Sequence, residues 1–129
     1  MKKIIFANDS RSFREAAGIF LERAGYVAEN GYKVIMCADG KEALDRYNSQ
    51  KPVLLVIIDN QMPCMSGTEL AKALKGEDSG LSVIMMSGKG LPEGAGEYVD
   101  IFLRKPFDSD DMKEIIERYA GKPGDGDSP

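Results

Sequence analysis

A chain of 129 residues fits one domain and can bury a sizeable core. With 43% hydrophobic and 29% charged residues it has the make-up of an ordinary globular protein, and its formal charge of −4 argues against nucleic acid or an anionic membrane as a direct partner. It contains no histidine, which excludes Ser-His-Asp and Cys-His nucleophile systems and His-based metal sites.

In chain order, "MKKIIFANDSR" opens with basic residues, but its apolar run is too short for a secretory signal, and no segment approaches transmembrane length. A cytoplasmic protein is expected. Lys3–Ala7 predicts a buried strand. In "SFREAAGIFLERAG", Ser12 and Glu15 are spaced as a capping box, and Phe13, Ala17, Phe20 and Leu21 share one face of a helix ending near Gly25. The extra length of "YVAENGY" (Tyr26–Tyr32) implies either a longer helix or a protruding loop. Lys33–Ala38 predicts the second strand, and Asp39 with Glu42 caps a helix over "EALDRYN". The run "VLLVII" predicts the third strand and stops at an acid, Asp59; Ser66 with Glu69 then caps "ELAKALK".

Ser82–Met86 predicts the fourth strand. The segment after it, 88–100, contains four glycines and Pro92, so any helix there is expected to be short or irregular. Ile101–Arg104 predicts the fifth strand, and "SDDMKEIIERYA" a final helix with Met112, Ile115, Ile116 and Tyr119 as its apolar stripe. Acids at its start and Arg118 near its end suit the helix dipole. From Gly121 onward the chain is rich in Gly, Pro and Asp, which predicts a disordered tail or the start of a linker (121–129) after a domain of residues 1–120. Cys37 and Cys64 match no zinc spacing and are expected to be reduced thiols.

Five apolar runs separated by amphipathic segments imply an α/β domain: a doubly wound five-stranded parallel sheet with helices on both faces. In such folds functional groups gather past the carboxyl ends of the strands. Those ends carry Asn8 and Asp9, Asp59, Ser87, and Lys105 followed by Pro106. Two carboxylates with a backbone carbonyl and waters suit Mg²⁺, which needs few protein ligands. A carboxylate held there can attack phosphorus, with Lys105 and Ser87 meeting the phosphoryl oxygens.

The segments "FANDS", "IIDNQMPCMSG", "MMSG" and "LRKPF" resemble, in order and spacing, the signatures of two-component response-regulator receiver domains, over nearly the whole chain up to about Tyr119. The resemblance implies a flavodoxin-like receiver fold in which Asp59 is the phosphoacceptor. It makes Asp9 a direct Mg²⁺ ligand with Asn8 beside it, and adds the backbone carbonyl of Gln61 to the metal site. Ser87 becomes the hydroxyl that closes on the phosphoryl group, and Lys105 the conserved-type lysine, followed by a cis bond to Pro106. Phe102 falls at the aromatic switch position. The implied partners are a sensor histidine kinase or histidine phosphotransfer protein and a downstream protein or output domain, without direct contact to nucleic acid or membrane.

Two departures stand out. The family usually has two adjacent acids after the first strand, and here the first is Asn8. An amide either still orients a metal-bound water or weakens the site, and a weakened site is expected. The irregular fourth helix and Asn8 together suit an alternative, a pseudo-receiver that works as a phosphorylation-independent interaction module. Retention of Asp59, Ser87 and Lys105 speaks against it.

Overall fold

The computed structural model describes residues 1–123. Five strands, β1 (Lys2–Ala7), β2 (Tyr32–Cys37), β3 (Leu55–Asp59), β4 (Ser82–Ser87) and β5 (Ile101–Arg104), form one parallel sheet in the order β2-β1-β3-β4-β5. The helices are α1 (Arg11–Arg23), α2 (Gly40–Gln50), α3 (Gly67–Glu77) and α4 (Ser109–Ala120). The sheet is covered on both sides, which is why its strands read as unbroken apolar runs. On one face Ile4, Phe6, Leu55, Ile57, Ile84 and Met86 pack against Ala17 and Leu21 of α1 and Met112 and Ile116 of α4. On the other, Ile5, Ile35, Val56, Ile58 and Val83 meet Ala43 and Tyr47 of α2 and Leu70 and Leu74 of α3.

Several boundaries differ from expectation for local reasons. β3 and β4 each run one residue further, so Asp59 and Ser87 are the last strand residues instead of the first loop residues. The cap of α1 is Ser10, not Ser12: its Oγ accepts the Phe13 N–H at 3.2 Å. Ser12 lies inside the first turn, and Glu15 pairs with Arg11 instead of closing a box. The capping box at Ser66 and Glu69 is formed, and α4 is boxed by Asp108 and Asp111. Tyr26–Tyr32 neither extends α1 nor protrudes; it turns through a 3-10 segment, Ala28–Asn30, and buries Tyr26.

The crossover from β4 to β5 goes further than the expected short or irregular helix: residues 88–100 contain turns and no helix. Gly90 and Gly94 take positive φ, which breaks any helical run, and Pro92 offers no N–H to one. The segment still covers the sheet through Ala95, Tyr98 and Val99. Asp100 anchors its end, accepting from Lys75 Nζ at 2.8 Å and from the Val83 N–H at 2.7 Å.

The expectation for the tail falls mainly on residues 124–129, outside the described residues; within them, the Tyr26 hydroxyl donates to the Gly121 carbonyl at 2.9 Å. Cys37 is buried and Cys64 exposed. Burial, and then the Glu42 carboxylate, push the Cys37 thiol up to about 12, so it is an inert core group. Among the described residues no helix is long and apolar enough to cross a membrane.

Candidate functional site

In the order β2-β1-β3-β4-β5 the winding direction changes at β1, and the crevice beyond the ends of β1 and β3 is where ligands of such sheets bind. Asn8 and Asp9 follow β1 there, and Asp59 ends β3. The third strand therefore does drive an acid to the edge of the core: the Asp59 side chain is only 8% exposed. Its partner comes from the end of β5. Lys105 Nζ donates to Asp59 Oδ1 at 2.7 Å, across 46 residues of sequence. The charge pair offsets the desolvation of the carboxylate.

Backbone bonds tie these strand ends together. Asn60 N–H donates to the Met86 carbonyl at 2.9 Å, and Lys105 N–H donates to the Ser87 carbonyl at 2.9 Å. Ser87 is buried, and its Oγ accepts the Lys89 N–H at 3.1 Å. The Lys105–Pro106 peptide is cis. Phe102 is half-buried on β5, in register with Met85, while Ser87 pairs with Arg104. Asp9 and Gln61 are exposed in the loops after β1 and β3.

The loop after β3 is held close by Gly67. A Cβ there would sit 2.8 Å from both Asn60 Cα and the Asp59 carbonyl oxygen, so only glycine fits without a backbone shift. Its N–H donates to the Asn60 carbonyl at 2.9 Å. This is the physical content of the glycine in "DNQMPCMSG".

Asn8 is the unusual member. It is 2% exposed, and its Oδ1 accepts the Ser10 N–H at 2.8 Å, which orients the amide. Its Nδ2 is then buried without a hydrogen-bond partner among the described residues. A buried donor of this kind calls for an oxygen-bearing ligand or an ordered water. No cluster of three or more His, Cys, Asp or Glu side chains occurs among the described residues. The site offers at most two carboxylates and carbonyl oxygens, an oxygen donor set that fits Mg²⁺ with its retained waters and is too sparse for an all-protein cage.

One residue beside the site was legible in the sequence only as part of a core stripe. Phe13 of α1 sets its ring under Lys105, with Nζ 5.3 Å from the ring centroid. Its signal was its place in the first turn after the β1 loop. A groove of about 770 Å³ between α1 and β2 is lined by none of the predicted site residues.

Comparison with known proteins bears on the family and the fold. The family model described as "Response regulator receiver domain" matches residues 4–117. Response regulator MprA of Mycolicibacterium vanbaalenii is 30% identical, across 98% of this chain and 55% of that protein. Sporulation initiation phosphotransferase F of Bacillus subtilis is 30% identical, across 70% of this chain and 76% of that protein. The chain spans about half the length of most such curated relatives. Among solved structures, response regulator TrrA of Thermotoga maritima, in complex with Mg²⁺ and BeF, superposes with a TM-score of 0.79 at 26% identity, covering 92% of this chain and 99% of that one. Since the family match runs from within β1 to within the last helix, this chain belongs to the response regulator receiver domain family.

Proposed function

We propose that this chain is the phosphoacceptor module of a two-component relay, with Asp59 as the acceptor. The observation that carries the reading is the 2.7 Å contact of Lys105 Nζ with Asp59 Oδ1 at the strand ends. A carboxylate oxygen of Asp59 attacks the phosphorus of a phosphohistidine on a separate kinase or phosphotransfer protein. The new P–O bond forms as the P–N bond breaks, and the histidine leaves. Water later attacks the phosphorus of the acyl phosphate, releasing inorganic phosphate and restoring the carboxylate. Lys105 neutralises a phosphoryl oxygen and Ser87 hydrogen-bonds another. Ser87 and Phe102 then report the loading of Asp59 to a downstream protein or output domain.

Asp9, Asp59 and the Gln61 carbonyl are the residues that would hold Mg²⁺, with Asn8 meeting a water or phosphoryl oxygen through its orphan Nδ2. When bound, Mg²⁺ supplies charge neutralisation at the phosphoryl oxygens. The complex of TrrA with Mg²⁺ and BeF supports this assignment by likeness. An apolar groove of about 280 Å³ beside the site, lined by Phe13, Phe20, Phe107 and Met112, suits the approach of a phosphodonor protein. A relay of this kind operates in the cytoplasm.

The deciding experiment is intact mass after incubation with Mg²⁺ and either acetyl phosphate or a phosphohistidine donor, with Asp59→Asn as control. The native chain is expected to gain one phosphoryl group and the variant none. Absence of gain from both donors would overturn the reading. A second expectation concerns Asn8. Restoring an acid with Asn8→Asp should tighten Mg²⁺ binding by about tenfold, since one charge near a divalent ion is worth a few kcal/mol before screening. Calorimetric titration checks it, and an unchanged affinity would contradict the role given to position 8.

A further inference from the structure

The lysine of the site is held from two sides. One is the Asp59 carboxylate at 2.7 Å; the other is the face of Phe13, whose centroid lies 5.3 Å from Nζ. A lysine ammonium rides on a flexible four-carbon stem and loses much rotamer entropy when confined. The contact to Asp59 also changes at the moment it matters, because phosphorylation converts the carboxylate into an acyl phosphate and the lysine must exchange a carboxylate oxygen for a phosphoryl oxygen. The ring contact is untouched by that change.

Phe13 is itself firmly placed. Its ring stacks on Phe6 with centroids 6.0 Å apart and planes 12° from parallel, and Phe6 is a buried residue of β1. Its backbone N–H is tied to the Ser10 cap. The negative face of a fixed aromatic ring attracts an ammonium within about 6 Å.

From this geometry we infer that Phe13 is a positioning residue, whose ring keeps the Lys105 ammonium at the strand ends through loading and unloading of Asp59. The inference rests on the phosphoacceptor reading for its consequence, though the ring–lysine coupling can be measured without any phosphoryl group.

The test is a double-mutant cycle in urea, using Phe13→Leu, Lys105→Met and both together. A coupling of about two- to fivefold in the unfolding equilibrium constant is expected. Beryllofluoride binding in the presence of Mg²⁺ is then measured for the native chain, Phe13→Leu, Phe13→Tyr, and a chain carrying pentafluorophenylalanine at position 13. Phe13→Tyr should bind like the native chain. The Leu and pentafluoro forms should bind about two- to fivefold more weakly, the pentafluoro form because it keeps the shape and reverses the ring's charge distribution. No coupling in the cycle overturns the inference, as does equal beryllofluoride affinity across all four chains. A native chain that binds no beryllofluoride overturns the phosphoacceptor reading instead, while the cycle still decides whether the ring holds the lysine.

Discussion

Lys105→Met is expected to slow phosphoryl uptake by Asp59 by about a hundredfold and to destabilise the fold by about 1–3 kcal/mol. On the proposed role of Asp59, the first effect follows from removing the lysine that contacts it, since phosphoryl transfer depends on positioning and charge neutralisation. The second follows from burial: the Asp59 side chain is 8% exposed and would lose its partner. The loss should fall short of that for a fully buried pair, because the lysine side chain is 33% exposed and water screens the contact. Intact-mass time courses and urea unfolding measure the two effects separately. Native-like values in both would remove Lys105 from the site.

Two glycines of α3 should respond to alanine in opposite directions. Gly67→Ala places a Cβ 2.8 Å from two backbone atoms of the Asp59–Asn60 turn, neither of which can rotate away. A loss of about 1–3 kcal/mol is expected, with weaker Mg²⁺ binding as the loop carrying Gln61 shifts. Gly76→Ala, nine residues further along the same helix, meets nothing within 4 Å. It should gain roughly 0.5–1 kcal/mol through helix propensity alone. Urea unfolding of both variants checks the pair, and a Gly67→Ala chain as stable as the native would contradict the close approach.

Much of this molecule can be read locally. The strands are legible because both faces of the sheet are covered, so "VLLVII" and "SVIMM" carry no polar interruption. The caps at Asp39 and Ser66 are legible because a side-chain oxygen and an N–H three residues on are all that a cap requires. The start of α1 was misread because Ser10 and Ser12 are chemically equal candidates. The choice between them depends on where Asn8, bonded to the Ser10 N–H, and Arg14, bonded to the Asn8 carbonyl, pull the turn. The glycines and Pro92 pointed to a poor helix over 88–100, yet its complete absence depends on Asp100 and the packing of Ala95, Tyr98 and Val99 against the sheet.

The sequence by itself determined the succession of strands and helices, and that Asn8, Asp9, Asp59, Ser87 and Lys105 stand at strand ends. Apolar run length, cap chemistry and turn residues are properties of a few neighbouring positions. Only the tertiary structure decided that Lys105 touches Asp59, that Phe13 turns its ring to that lysine, and that the Asn8 amide is buried with a donor to spare. These contacts depend on strand order, register and the seating of α1 on the sheet. Such long-range arrangements are chosen by the packing of the whole core, to which no short segment carries the key.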